Sequence, residues 1–224
     1  MQKEGTDFVN SPIYDGELPT SRSMIFISPD GERSMNTYLG ISAELGPDDV
    51  PLEVALQAEF VFLEGYLFDK AKGKEAFKLL ARTCRSSGGR AGIAISDPFC
   101  VQRHRSDFLV LIENELDFVI GNEDEVKSLF ETDELDIALE KISEICDLVV
   151  CTRGGDGVSV MDKGQRINVP VERVVPVDST GAGDQFAAGF LFGLLNNYDI
   201  ATCCKIGAVA ASEVISHVGP RPKK

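Results

Sequence analysis

The chain has 224 residues, 43% of them hydrophobic, so it is long enough to bury the core of one α/β domain with a small appendage. Acidic residues outnumber Lys and Arg by 36 to 22, which gives a formal net charge of −14 at pH 7. Nucleic acids and anionic membranes are bound through dense Lys and Arg contacts, so this charge excludes both as partners.

The first predicted element is a β-hairpin. Residues 24–28 and 33–39 are β-prone runs on either side of Pro29–Gly31, a Pro-Asp-Gly turn sequence. From residue 47 onward, short apolar strands alternate with helices. The predicted strands are Phe60–Leu63, Gly92–Ser96, Phe118–Ile120, Leu148–Cys151, Val158–Met161 and Arg166–Val169. The predicted helices are Pro47–Ala58, Lys70–Ser86, Arg103–Glu113, Glu123–Phe130, Glu134–Cys146, Gly181–Leu195 and Asp199–Ser216.

The strands that begin near residues 60, 92, 118 and 148 are nearly continuous apolar runs. This pattern is typical of parallel strands that helices cover on both faces. The repeated strand–helix order therefore predicts a three-layer α/β/α domain, a doubly wound sheet with right-handed crossovers. The last two strands, joined by a turn at residues 162–164, are predicted to form a second hairpin.

Six cysteines show neither a CxxC pair nor regular spacing. Such cysteines indicate reduced thiols in a cytosolic protein, where most serve as small core residues. The polar stretch 1–7 does not resemble an export signal, and the apolar run 186–195 is too short to span a bilayer. We therefore expect a cytoplasmic protein.

The most informative segment is residues 178–184, which read DSTGAGD and lead directly into an apolar helix. Small residues at a helix N-terminus leave backbone N–H groups open to an anion, which the helix dipole also favours. Asp184 lies in the first turn, where a carboxylate could accept the proton of a hydroxyl that attacks a bound phosphate. From the residues alone, an ordinary glycine-rich helix start remains the alternative.

Competing motifs fail at single positions. A GxGxxG dinucleotide fingerprint would need glycine at Phe186, and a GxSxG nucleophile elbow would need glycine at Val177. A hydrolase that uses Ser179 is therefore a weak alternative. The sequence contains no GxxxxGK[ST], which excludes a Walker-type ATPase.

The DSTGAGD run and the following QFAAGF resemble the C-terminal signature of the ribokinase (PfkB) family, DTxGAGD. The resemblance implies ATP-dependent phosphoryl transfer to a hydroxyl of a sugar or nucleoside. It implies that Gly181, Ala182 and Gly183 form the anion hole and that Asp184 is the catalytic base. It also implies that Asp178 helps to bind an activating monovalent cation such as K⁺.

Two further segments resemble motifs of the same family. Asn122 and Glu125 match its NxxE motif, which implies a role in holding Mg²⁺; an ordinary helix cap is the alternative. Residues 152–157 (TRGGDG) resemble its TxGxxG nucleotide loop, with a plain tight turn as the alternative. The residues thus assigned to the nucleotide are Thr152, Arg153, Gly154, Gly157 and Thr180.

The resemblance also implies a domain division. Residues 1–40 correspond to part of a β lid, and a homodimer through this lid is a possible assembly; residues 41–224 correspond to the nucleotide-binding kinase core. The strand and Gly-Gly helix that bind the acceptor in the family have no counterpart, so we expect an N-terminally truncated chain. We expect the 224 residues alone to self-associate and to phosphorylate no acceptor, which makes a catalytically incompetent nucleotide-binding remnant the alternative function. Residues 31–40 resemble adenosine-kinase-like members most.

Overall fold

The computed structural model describes residues 5–223, and within them the chain forms eight β-strands and seven α-helices. The strands are β1 (Arg22–Ile27), β2 (Arg33–Tyr38), β3 (Phe60–Glu64), β4 (Arg90–Ala94), β5 (Phe118–Asn122), β6 (Leu148–Thr152), β7 (Val158–Asp162) and β8 (Gln165–Val169). The helices are α1 (Leu52–Ala55), α2 (Ala71–Ser86), α3 (Pro98–Glu115), α4 (Glu123–Phe130), α5 (Leu135–Ser143), α6 (Ala182–Leu195) and α7 (Ile200–Val214).

Strands β3 to β8 form one sheet in which the spatial order follows the chain order. Strands β3, β4, β5 and β6 are parallel, whereas β7 and β8 pair antiparallel and form the predicted hairpin. The carboxyl ends of the parallel strands therefore lie at one edge of the sheet, the edge at which α/β proteins bind ligands.

Helices cover both faces of this sheet, which confirms the predicted three-layer α/β/α architecture. Helices α2 to α5 pack on one face, in a core that includes Phe108, Leu111 and Ile142. Helices α6 and α7 pack on the other face, in a core built around Phe118 and Phe190. Strand β5 serves both cores because successive side chains point to opposite faces. All six cysteines are buried and unpaired, as expected of small core residues.

Three predicted boundaries were wrong for local reasons. The helix predicted at 47–58 is a 3₁₀ turn at Pro47–Asp49 followed by the short α1, because Pro51 has no N–H to continue the first turn. The strand predicted at 92–96 ends at Ala94, before the left-handed backbone of Ser96. Helix α3 begins at Pro98, five residues before the predicted start, because the Asp97 side chain caps its first turn.

Strands β1 and β2 form a separate antiparallel hairpin, as predicted. Every residue of both strands is exposed, including Met24, Phe26 and Tyr38.

Among residues 5–223, no helix combines the length and the apolar character needed to cross a bilayer.

Candidate active site

The N-terminus of α6 provides open backbone donors. Gly181 caps the helix with a left-handed φ of 83°. The N–H of Ala182 donates to the Ser179 carbonyl at 3.3 Å, while those of Gly183 and Asp184 have no acceptor in the described part of the chain. Space is also free here, because a Cβ placed on Gly183 would meet no atom within 4 Å. The start of α6 therefore has the donors and the room that an anion needs.

The Asp184 carboxylate is exposed in the first turn of α6 and acts electrostatically on Glu64, the last residue of β3. Burial raises the pKa of Glu64, and the negative charge of Asp184 raises it further. Hydrogen bonding by Ser96 opposes this increase. Two carboxylates, one from α6 and one from β3, thus border the same part of the sheet edge.

The hairpin brings a cation to this place. Arg33, at the start of β2, donates from Nη1 to the Ser179 hydroxyl at 2.9 Å. The N–H of Ser179 donates in turn to the Gly31 carbonyl at 3.0 Å. Two hydrogen bonds therefore tie the hairpin turn to the loop that enters α6. They place the Arg33 guanidinium against the loop that leads into α6.

Asp178 and Thr180 form the buried support of that loop. Asp178 is 1% exposed, and its two oxygens accept hydrogen bonds from the N–H groups of Thr180 at 2.9 Å and Gly219 at 2.8 Å. Burial by itself would raise the pKa of Asp178, but hydrogen bonding by Thr180 and Gly219, together with the Arg33 charge, outweighs it and lowers the pKa. The Thr180 hydroxyl is buried and has no partner of acceptable geometry among residues 5–223. Asp178 is therefore an ionised carboxylate that fixes the backbone before α6.

Asn122 and Glu125 form a reciprocal cap at the start of α4. The Asn122 side chain accepts from the Glu125 N–H at 2.9 Å, and the Glu125 carboxyl accepts from both the backbone and the side chain of Asn122. Burial raises the pKa of Glu125 to about 7, and the charges of Glu64, Asp97 and Asp124 contribute to the increase. The predicted motif is thus a helix cap that also carries a buried acid beside other acids.

These acids are the residues available to Mg²⁺. No cluster of three His, Cys, Asp or Glu side chains in residues 5–223 has the geometry of a direct metal site. Mg²⁺ usually keeps several water ligands and is held by one or two carboxylates together with phosphate oxygens. The Glu125 carboxyl, buried next to other acids, fits a role of this kind through water. It does not fit a complete protein cage.

A cavity of about 300 Å³ lies between the glycine loop after β6, the segment before α6, and α7. Ligand pockets typically begin at about this size. Its walls include Thr152, Gly157 and Gly183, and also Ala208 and Ser212 of α7. The fold therefore joins the nucleotide loop to the start of α6 in a single cavity.

Arg153 differs from its neighbours in the glycine loop. Its guanidinium pairs with Glu123 at 3.4 Å, and it is absent from the walls of the cavity, which do include Thr152, Gly154 and Gly157. The assignment of Arg153 to the nucleotide remains a prediction, and its side chain has a structural partner.

Sequence reasoning missed Arg33, Glu64 and Ser96. Glu64 carried a usable signal, since an acid that ends an apolar parallel strand lies at the ligand edge of the sheet. Arg33 carried none, because it contacts Ser179 across 146 residues of chain. Ser96 was placed inside a predicted strand, so its position at the sheet edge was not apparent.

Comparison with known proteins shows the family to which the chain belongs. The pattern of the family described as pfkB family carbohydrate kinase matches residues 2–224. The chain belongs to the pfkB family. It is therefore a phosphotransferase of the carbohydrate and nucleoside kinase class.

Solved structures of the pfkB fold superpose closely on the chain. The adenosine kinase from Sinorhizobium meliloti is 43% identical with a TM-score of 0.95, and the match covers 99% of this chain and 68% of that protein. A probable sugar kinase from Rhizobium etli is 40% identical with the same TM-score of 0.95, covering 100% and 68%. Among curated proteins, a nucleoside kinase from Methanocaldococcus jannaschii is 31% identical over 94% of this chain and 66% of its own length. The chain thus spans about two thirds of each of these relatives.

Proposed function

We propose that this pfkB-family chain transfers the γ-phosphoryl group of ATP to a hydroxyl of an uncharged acceptor, a nucleoside or a sugar, with adenosine as the first candidate. The observation that carries the proposal is the start of α6. There, the N–H groups of Gly183 and Asp184 are open, the Asp184 side chain is exposed, and Arg33 is hydrogen-bonded to Ser179. Ser179 and Gly183 also line the cavity next to the glycine loop.

The residues divide the chemistry between them. The N–H groups of Gly183 and Asp184 and the helix dipole stabilise the negative charge on the transferred group. The guanidinium of Arg33 adds a full positive charge at the same place. Asp184 orients the acceptor hydroxyl and accepts its proton, a role that contributes about 10²–10⁴-fold. Phosphoryl transfer requires mainly positioning and charge stabilisation, and these groups supply both.

Charge at the acceptor side supports an uncharged acceptor. The charge of Asp184 raises the pKa of Glu64, and the charges of Glu64 and Asp97 raise the pKa of Glu125, so acidic groups are gathered at this edge of the sheet. A second phosphate on the acceptor would meet these acids directly, and like charges at close range are unfavourable. Nucleosides and free sugars avoid this repulsion. The 43% identity to an adenosine kinase favours adenosine among them.

The metal and cation assignments belong to the same proposal. When bound, Mg²⁺ neutralises charge on the nucleotide phosphates, and Asn122 and Glu125 would hold it through water. A monovalent cation such as K⁺ would lie near Asp178 and Thr180. The supporting observation is the buried Thr180 hydroxyl, which lacks a partner of acceptable geometry within residues 5–223, beside an ionised carboxylate.

The hairpin supports a proposal for assembly. Its exposed side chains include Met24, Ile25, Phe26, Met35 and Tyr38. An isolated two-stranded hairpin is marginally stable, and a second copy would cover these apolar groups. We therefore place a homodimer interface at the hairpin. The exclusion of nucleic acid follows from the charge of −14, and a cytoplasmic location follows from the cysteines and the polar stretch 1–7; both remain predictions.

The second candidate is a chain that binds nucleotide without transferring phosphate. The observation that favours it is β3, an edge strand of the large sheet within residues 5–223, where Phe60 and Phe62 are only half-buried. An edge strand offers unpaired backbone groups, and the half-buried Phe60 and Phe62 leave apolar surface open beside it.

One assay separates the two candidates. The chain is incubated with ATP and Mg²⁺, alone and with adenosine, other nucleosides, free hexoses and pentoses, or a hexose phosphate, and products are identified by mass spectrometry. ATP binding is measured in parallel by calorimetry. We expect a phosphorylated nucleoside or sugar, and none from the hexose phosphate. ATP binding without any phosphorylated acceptor would establish the second candidate, and transfer to the hexose phosphate alone would overturn the assignment of an uncharged acceptor.

A further inference from the structure

Ser96 has an unusual backbone conformation for its residue type. It follows β4 and has a φ of 75°, in the left-handed region. For a residue other than glycine this conformation is strained. Residues held in this way persist only where the surrounding contacts enforce them, and they cluster at functional sites.

The conformation directs the Ser96 hydroxyl at the end of the neighbouring strand. Its Oγ accepts a hydrogen bond from the Gly65 N–H at 2.8 Å and lies 3.0 Å from the Ala94 carbonyl. It also donates to Oε1 of Glu64. A hydroxyl has one proton, so it satisfies either the carboxylate or the carbonyl at a given moment. Ser96 therefore links the ends of β3 and β4 through one side chain.

Gly65 is fitted to the same contact. A Cβ at this position would lie 2.7 Å from the Ala94 carbonyl oxygen and 2.9 Å from Oγ of Ser96. Both distances are shorter than real Cβ contacts, so only glycine allows the close approach. A glycine after β3 and a strained serine after β4 thus allow the two strand ends to meet at a single hydroxyl.

We infer that Ser96 is a positioning residue for the phosphoryl-transfer reaction. It holds the Glu64 carboxyl at the end of β3, and there that carboxyl binds a hydroxyl of the sugar ring. This inference rests on the proposed function, because it assumes an acceptor with more than one hydroxyl. Two carboxylates on opposite sides give such an acceptor two anchors, one at the reacting hydroxyl and one beside it.

A purely structural role for Ser96, as a turn between β4 and α3, makes a different prediction. In that case, removing the hydroxyl alters folding stability and leaves acceptor binding unchanged. Glycine at 96 is the informative replacement because it adopts a φ of 75° without strain and lacks the hydroxyl. Ser96→Ala removes the hydroxyl and keeps the strain. Asn197→Gly is the matched control, since Asn197 also has a positive φ, of 57°, but lies beyond the C-terminal end of α6.

The test measures KM for acceptor and for ATP, kcat and the melting temperature for the wild type and these variants. We expect Ser96→Gly to melt no lower than the wild type and to raise the acceptor KM about 10-fold or more, since hydrogen bonds to charged groups are stronger than those between neutral groups. The KM for ATP should stay within about two-fold, and Asn197→Gly should change neither constant. Ser96→Ala should raise the acceptor KM similarly and lower the melting temperature.

A double-mutant cycle shows whether Ser96 acts through Glu64. In a Glu64→Gln background, Ser96→Gly should have little further effect on the acceptor KM, because residues that act as a unit are non-additive. Additive effects, or an unchanged acceptor KM in Ser96→Gly, would overturn the inference. Crystal structures of the wild type and Ser96→Gly give a readout that does not depend on activity. The Glu64 carboxyl should lie at a different position in the variant than in the wild type. If it stays in place, the positioning role is wrong. If the wild type transfers no phosphate, the proposed function fails, and the acceptor role of Glu64 with it.

Discussion

The start of α6, which we call the floor of the site, and the hairpin of β1 and β2 differ in the interactions that stabilise them. Phe190 of α6 is fully buried in a core shared with β5 to β8 and α7, whereas Phe26 of β1 is 63% exposed. The floor is therefore shaped by apolar packing. The hairpin is fixed to it by two polar contacts, both of which involve Ser179. The anion site is therefore formed in advance, while the position of Arg33 depends on a few hydrogen bonds.

The largest effect should come from the core beneath the floor. Phe190→Ala should lower the free energy of unfolding by about 3–5 kcal/mol, since it removes a fully buried aromatic ring and leaves a cavity. Chemical denaturation monitored by circular dichroism measures this change. Phe26→Ala is the matched control and should change stability by less than about 0.5 kcal/mol. Equal losses would mean that the hairpin is packed as firmly as the floor.

The second effect concerns chemistry on the preformed floor. Asp184→Asn should lower kcat by at least about 10², because the amide cannot accept the acceptor proton, while the dissociation constant of ATP stays nearly unchanged. Steady-state kinetics and calorimetry give the two values. A variant with near-normal kcat would remove Asp184 from the role of base.

The third effect tests the polar attachment of the hairpin. Arg33→Gln should lower kcat about 10-fold or more, because it removes the positive charge from the start of α6 and weakens the contact with Ser179. Arg22→Gln, at the other end of the same hairpin, is the control and should leave kcat close to normal. If both variants behave alike, the hairpin acts through general charge and the specific contact is unimportant.

The last effect is a pH dependence of stability at the cap of α4. The folded-state pKa of Glu125 is about 7, above its unfolded value of 4.5, so the folded chain binds the extra proton between these pH values. This group therefore favours folding at low pH and loses that contribution as the pH rises towards 7. Relative to the wild type, Glu125→Gln should gain stability from pH 5 to pH 8, by on the order of 2 kcal/mol.

Thermal unfolding with a chelator present measures the effect without bound Mg²⁺. If the difference in stability between Glu125→Gln and the wild type does not vary with pH, burial does not raise the pKa of Glu125. With Mg²⁺ added, the variant should need a higher concentration for half-maximal rate, and an unchanged titration would leave the motif as a plain helix cap.

The sequence predicted the floor of the site better than the contacts of Arg33 and Ser96 around it, for a physical reason. Apolar strands, helix caps and the glycine-rich start of α6 are local patterns, and the family signature at 178–184 adds to them. The Arg33–Ser179 contact and the Ser96–Glu64 contact join residues 146 and 32 positions apart, and local patterns carry no information on such pairs. The early end of β4 also depended on the left-handed conformation of one residue, Ser96, for which the sequence carries no signal.

The most direct test is the location of the transferred group. A crystal structure of the chain with ADP, Mg²⁺ and aluminium fluoride should place the fluoride within hydrogen-bond distance of the Gly183 and Asp184 N–H groups and close to the Arg33 guanidinium. The adenine should occupy the cavity between the glycine loop and α7. A structure in which the nucleotide phosphates bind away from the start of α6 would contradict the account.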